Sequence, residues 1–291
     1  MPDWTWEGLI VPAADGSYEA AMPVPLRRKR GFWVVHQPLF CQFLSIFTAH
    51  PSPELFDAFT QALLKQYRYG SVVNLQILNS PPPFPTRRGY GLPTAPFFLS
   101  SILNTHLLDL SKPYEILYRG FSPDTRRHLR QAAVAGWLVQ ESTDPRPLLA
   151  LFRQHHASRI PGGVGDWAYA LFEGLFLELS ARGVACLRYA VLNSEIEAGA
   201  VFVRSDNRLI YLFNAATETG RRQHARTLLI NQVIEEQAGR VGVVVDFESP
   251  EVESIVRFYR GFGAQAVPYY SLRWNRFPKL VRWLWTLPEP W

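Results

Sequence analysis

The run GVVVDF, Gly242–Phe247, constrains the fold more than any other stretch of this chain. Val243, Val244 and Val245 are consecutive and apolar, without the polar alternation of a strand that has one wet face. Such a strand is buried on both faces, the habit of parallel strands joined by helical crossovers. The residues before it meet that requirement. Thr217–Gly239 reads as one long helix, with Ala225, Leu229 and Val233 on one side and Ile230 and Ile234 beside it. Before that helix, VACLRYAVL, EAGAVFVR and RLIYLFNAA are β-rich runs separated by the short polar turns NSE and SDN, and they read as an antiparallel meander. A helix that packs back on its sheet makes RLIYLFNAA and GVVVDF parallel neighbours. A short helix, Pro250–Gly263, and a closing strand, Ala264–Trp274, complete the order.

Upstream the elements are more mixed. Gly31–Phe47 reads as extended. Ser52–Tyr67 is helical, with Leu55, Phe59, Leu63 and Tyr67 at helical spacing, Ser52 as cap and Pro53 at the first position. Val72–Leu78 is a strand, and the proline- and glycine-rich Leu78–Pro96 reads as a long loop or lid. The pattern changes after Lys112, which sets the expected domains at 1–112 and 113–291. Tyr114–Phe121, Ser122–Gly136, Asp144–Ile160 and Asp166–Gly183 are helical, and Trp137–Ser142 is a strand. The fold class is α/β with a mixed sheet.

The chain has 291 residues, 47% of them apolar, ample for buried cores. Its only cysteines, Cys41 and Cys186, argue against a disulfide scaffold and against thiolate metal ligation. The first residues lack a basic segment followed by an apolar one, and the most apolar run, Ala95–Leu110, is broken by Asn104 and His106. The expectation is a cytoplasmic protein, with the inner face of the membrane as the alternative location. The net charge of +5 tolerates anionic partners, with basic residues concentrated at Leu26–Arg30, Thr125–Arg130, Gly220–Arg222 and Arg273–Arg282. His155 and His156 are adjacent on a helix, so they diverge and do not chelate one ion, and no metal is expected. His128 and His224 read as surface residues. No nucleophile elbow, P-loop or dinucleotide fingerprint is present.

Within this order, Arg257–Ala264 (RFYRGFGA) resembles the second signature helix of the GNAT superfamily of acyltransferases: an apolar residue, a tyrosine, polar residues, then a Gly-Phe turn. Gln37–Phe47, Phe121–Trp137, Glu197–Ile234 and Asp246–Gln265 together resemble the Fem-type, FemAB-like branch, in which two GNAT-like domains lie in tandem. The likeness covers most of residues 31–275 and is stronger in the second domain. It implies transfer of an acyl group onto an amine or hydroxyl, by direct attack and with no enzyme nucleophile. The donor would be acetyl-CoA, or an aminoacyl group on tRNA as in Fem-type transferases that act on peptidoglycan precursors. No tightly bound cofactor is implied. The acceptor would be a small molecule or a cell-wall precursor, tRNA and peripheral membrane contact are possible partners, and DNA is not expected. A departure stands at the pyrophosphate loop: of the aligned Gly220, Arg221, Arg222, Gln223, His224 and Ala225, only Ala225 fits. Arg221 and Arg222 could compensate by charge. The alternative is a binding protein that kept the fold and lost the donor site.

The candidate site residues follow from strand ends and from this likeness. Tyr259 shares a helix face with Val252, Ile255 and Val256, so it reads either as core or, by the likeness, as the acid that protonates the leaving thiolate. Asp246 and Glu248 end the buried strand, where ligands collect in open α/β sheets. Glu248 reads as a general base or acceptor ligand, or else both acids cap the helix opened by Ser249 and Pro250. Phe213, Asn214 and Ala215 end the preceding strand, where GNAT folds bind the donor's pantetheine arm. Arg126, Arg127 and Arg130 form either a solvated face or a phosphate patch. The tail after Arg273 reads as packed or membrane-facing.

Overall fold

A computed structural model describes residues 3–77, 98–249 and 252–278. The lid reading of Leu78–Pro96, Pro250, and most of the basic, tryptophan-rich tail lie outside the described residues.

The chain forms two compact units, one of residues 1–104 with 267–290 and one of residues 105–266. These are not the contiguous halves 1–112 and 113–291: the closing strand belongs to the first unit. The first unit contains β1 (Trp4–Pro12), β2 (Tyr18–Lys29), β3 (Phe32–Val35), β4 (Leu44–Thr48), α1 (Pro53–Gln66), β5 (Tyr69–Ile77) and most of the last strand, β12 (Gln265–Asn275). β1, β3 and β4 run antiparallel to β2, β4 runs parallel to β5, and β12 runs antiparallel to β5. The Ser52 hydroxyl accepts from the Leu55 amide at 3.1 Å and Pro53 opens α1, as the spacing predicts. Phe56, Phe59 and Leu63 of α1 pack on Val24, Leu26, Val73, Leu75, Leu272 and Trp274. The core needs glycine at position 70, where a Cβ would come within 2.4 Å of the Trp274 ring.

The second unit takes the end of β6 (Phe98–Asp109), then α2 (Tyr114–Gly120), α3 (Pro123–Val134), β7 (Leu138–Ser142), α4 (Arg146–His155) and α5 (Asp166–Ala181). The meander follows as β8 (Ala185–Leu192), β9 (Glu195–Ser205) and β10 (Arg208–Ala216). Then come α6 (Glu218–Arg222), α7 (Ala225–Gln237), β11 (Val244–Asp246) and α8 (Glu253–Arg260). β7 to β10 pair antiparallel in sequence, β10 and β11 pair parallel, and β11 pairs antiparallel with β6. The parallel crossover demanded by GVVVDF is present, with Val245 fully buried between its neighbours.

Two local expectations are corrected. The helix read over Thr217–Gly239 is two helices, because His224 adopts a left-handed conformation (φ 59) that no α-helix continues through. And Ser249 does not cap the following helix: α8 is preceded by Val252, and among the described residues no side chain caps it. Ser249 is fully buried, its hydroxyl 2.9 Å from His106 Nδ1.

Candidate functional site

The site is made by a short strand. β11 has only three residues, and its pairing with β10 ends at Ile210 opposite Asp246. β10 continues to Ala216 on the support of β9 alone. Past this point the two strands carry Tyr211, Phe213 and Asn214 on one side and Phe247 and Glu248 on the other. α8 places Tyr259 beside them and α7 places Arg226.

Asp246 is 1% exposed and fully engaged: Arg208 Nη1 donates to it at 2.6 Å, the Thr105 hydroxyl at 2.8 Å and the Glu248 amide at 3.0 Å. Burial pushes its carboxyl up, while Arg208 and these donors pull it down. It anchors the end of the strand, not a helix start. Glu248 is turned away from the extended path by a positive φ of 42. Burial, then the charge of Asp246, push its carboxyl up to about 8, with Arg208 opposing. A carboxyl so placed can exchange a proton near neutral pH.

Tyr259 is 6% exposed, its ring stacked on Phe247 at 4.5 Å and edge-on to Tyr211 at 6.1 Å. It therefore belongs to the core, but the stripe read with it is only partly buried: Val252 precedes α8 and is exposed, and Ile255 and Val256 are half-buried. Tyr259 also borders the parted strands. Burial pushes its phenol up to about 12, with Glu248 adding to the shift and Arg226 opposing it. The glycines of the Gly-Phe-Gly turn serve packing: a Cβ on Gly261 would lie 2.4 Å from Thr125 Oγ1, and Gly263 has φ 86. Phe262 fills the space between, edge-on to Phe121 at 5.4 Å.

The expected donor residues fall into two groups. Phe213 lies among the rings of Phe152 and Phe172, at 4.9 and 4.4 Å. Asn214 Oδ1 accepts from Arg226 Nη1 at 3.0 Å, tying β10 to the start of α7, and Ala215 is fully buried. The residues aligned with the phosphate loop have structural duties instead. A Cβ on Gly220 would meet the Glu197 carbonyl oxygen at 2.2 Å, so this glycine lets α6 lie on β9. Arg221 Nη1 donates to the Ala216 carbonyl at 2.8 Å. The Gln223 carbonyl accepts from Trp137 Nε1 at 3.1 Å, Arg222 is exposed, and Ala225 is buried at the first position of α7. Position 224, expected at the surface, is half-buried: the His224 and His128 rings stack at 3.9 Å beside that helix start. Burial and neighbouring positive charge hold both imidazoles below their usual range.

Three residues here carry no warning in the motif reading. Arg226 is one; a cation in the first turn of a helix runs against the helix dipole, and that anomaly was the available signal. Tyr211 is another, hidden as an ordinary strand aromatic. His156 is the third: its Nε2 lies 3.2 Å from both the amide and the carbonyl of Ala216, at the end of β10. Among the described residues no group of three or more His, Cys, Asp or Glu is placed to hold a metal ion. Among them, too, no helix is long and apolar enough to cross a membrane.

Residues 120–248 match the acetyltransferase (GNAT) domain family. No curated protein sequence matches the chain. Among solved structures, the fold is similar to that of FemX, with a TM-score of 0.64 at 11% identity, covering 98% of this chain and 91% of that one. A tandem GNAT protein from the clavulanic acid biosynthesis pathway gives 0.52 at 12% identity, covering 96% and 85%. The C-terminal domain of a putative lysylphosphatidylglycerol synthetase from Agrobacterium fabrum gives 0.50 at 12% identity, covering 92% and 84%.

Proposed function

This chain carries a GNAT-type acetyltransferase domain in a Fem-like α/β fold, and from that premise we propose that it is an N-acyltransferase working where β10 and β11 part. The observation that carries the reading is the convergence of Glu248, Tyr259 and Arg226 on the strand ends, with Glu248 held near 8. The acyl donor arm lies along β10 beside Phe213–Ala215. An amine acceptor loses a proton to Glu248 and attacks the acyl carbonyl carbon, forming the C–N bond. The carbonyl π electrons move to oxygen and return as the bond to the leaving group breaks. Tyr259 donates its proton to that leaving group. Positioning and charge stabilisation supply the acceleration, so no covalent enzyme intermediate is required. Asp246 is a positioning residue: its ion pair with Arg208 fixes the backbone from which Glu248 projects.

The donor is an acyl-CoA thioester, taken up as co-substrate. Its diphosphate meets the start of α7, where backbone N–H groups of the first turn and the dipole favour an anion. One observation favours a second reading, an aminoacyl group on tRNA: Gly220 and Arg221, aligned with the phosphate loop, are committed to packing against β9 and to the Ala216 carbonyl. The acceptor is a small-molecule or cell-wall-precursor amine, and both donor pools place the work in the cytoplasm. We take the two compact units as tandem GNAT-like domains, the second bearing the chemistry.

Thermal unfolding with acetyl-CoA, CoA or aminoacylated tRNA tests the donor, since a ligand bound by the folded state raises Tm. The proposal expects a shift with one donor class, and a Tyr259→Phe turnover at least tenfold below wild type with the shift retained. Unchanged turnover in Tyr259→Phe removes the acid role. No shift with any donor leaves a binding protein that has lost its donor site.

A further inference from the structure

β1 is an edge strand: among the described residues it pairs with β2 on one side and with no strand on the other. Its nine residues carry one charge, Glu7, and that carboxylate accepts from the Tyr67 hydroxyl at 2.6 Å. Edges are commonly blunted by charged side chains, but the outward side of this one is apolar. Leu9 and Val11 pack on the core, so Trp6, Gly8 and Ile10 face outward, with Trp6 72% and Ile10 48% exposed. β2 continues the pattern. Met22, Val24 and Leu26 are buried, which turns Ala21, Pro23 and Pro25 outward beside Ile10, Gly8 and Trp6. Phe47 of β4, opposite Ala21, is also half exposed. An antiparallel strand with one wet face alternates apolar and polar residues, whereas these are apolar on both faces. Along β2 the charges stand at the two ends. Glu19 is exposed at one, and at the other the Arg27 guanidinium lies 5.7 Å from the Trp4 ring.

We propose that β1 is where two copies of this chain join, their β1 strands pairing antiparallel about Gly8 so that one sheet runs through both. A two-fold axis at Gly8 sets Trp6 of each copy opposite Ile10 of the other, an aromatic–aliphatic cross-strand pair made twice. Gly8 adds no side chain at the axis, and a Cβ there would have only Ile10 of its own chain within 4 Å, so the indoles have room. The backbone groups along the outer edge of β1 gain partners in the same step. The rotation also brings the Arg27 end of each β2 alongside the Glu19 end of the other. Arg27 lies opposite Trp4, and Glu19 falls between the residues opposite Val11 and Pro12. A lipid surface, of one sign throughout, meets one favourable end of this face and one unfavourable end. An inverted second copy satisfies both.

The test is the mass of the full chain in solution, by sedimentation velocity up to about 100 µM, where even a small specific interface is occupied. The wild type should sediment as a dimer. Trp6→Glu, at an exposed position, should keep the wild-type far-ultraviolet circular dichroism and weaken the dimer about tenfold or more. Arg27→Glu and Glu19→Arg should each weaken it about fivefold, the size of two exposed ion pairs lost. The double variant Arg27→Glu with Glu19→Arg should restore it, which separates the inverted arrangement from general stickiness. A wild type that stays monomeric throughout overturns the proposal. So does a dimer indifferent to Trp6→Glu, and so does a double variant no tighter than the single ones. A monomer that binds phosphatidylcholine–phosphatidylglycerol vesicles, and loses that binding in Trp6→Glu, assigns the face to lipid and overturns it as well. None of these outcomes bears on the donor experiments above, so this inference and the acyltransferase reading fail separately.

Discussion

Replacing Glu248 with Gln should make the protein more stable in alkaline buffer and leave it unchanged in acid. The carboxyl is held at about 8 in the folded chain against an ordinary 4.5, mainly by burial and next by Asp246. A folded-state value above the unfolded one means that the group's contribution is fully present below pH 4.5. From there upward the unfolded chain ionises while the folded chain resists, and stability drains away until about pH 8. Above that both forms are ionised and the loss is constant. The displacement bounds the loss at ~5 kcal/mol, since each pH unit between the two values is worth ~1.4 kcal/mol. Partial exposure of the side chain brings the expected figure nearer ~2 kcal/mol. For a folding unit of this size that is a Tm difference of roughly 4–8 °C. Glutamine keeps the volume and the backbone strain at this positive-φ position, so the comparison isolates charge. Paired thermal melts from pH 4 to 9 should give two curves that coincide at the acid end and separate steadily between about 4.5 and 8. Curves that run parallel throughout, or a wild type more stable than Glu248→Gln at pH 8.5, would refute the reasoning that a buried, neutral carboxyl occupies the site.

Three further outcomes follow from the packing. Gly220→Ala forces a Cβ against the Glu197 carbonyl, where backbone cannot yield cheaply, and should cost ~1–3 kcal/mol in chemical denaturation. Asp246→Ala strands Arg208 without its partner inside the unit and should cost ~3–5 kcal/mol; a loss below ~1 kcal/mol would show that the ion pair is dispensable. Gly70→Ala drives a methyl into the Trp274 ring and should lower stability and alter tryptophan fluorescence together, whereas Gly16→Ala, with nothing near its Cβ, should lower stability modestly through its left-handed φ and leave the fluorescence alone.

The architecture of the second unit was legible because its periodicities are strong and local. GVVVDF announces burial on both faces, and Val245 is buried between β10 and β6. The site was only half legible. Tyr259 and Glu248 could be picked out from strand and helix ends. The identity of their surroundings required register: Arg208 and Thr105, which meet Asp246, come from different strands, 38 and 141 residues away. The fracture at His224 was hidden because Gln223 and His224 are unremarkable in a helix, and no glycine marks the left-handed residue. The β1–β2 hairpin turns at Asp15-Gly16, a common turn pair, where the Asp15 carboxylate accepts from the amide and hydroxyl of Ser17. The polar residues that interrupt the apolar run of β6 have partners in the fold: Thr105 donates to Asp246 of β11, and His106 meets Ser249 just beyond that strand.

The return of β12 to the first unit sets an order of events during synthesis. Trp274 is 1% exposed in that unit's core, donates from Nε1 to the Tyr67 carbonyl at 2.9 Å and lies against Gly70. Those partners leave the ribosome some two hundred residues earlier, a delay of roughly 10–40 s at ordinary elongation rates. For that interval β5 has no β12 to bond with and α1 covers an incomplete core, while the whole of residues 105–266 can already be out and folded. The first unit is thus the last to close, and its unpaired strand edge is the stretch most exposed to wrong partners in the meantime.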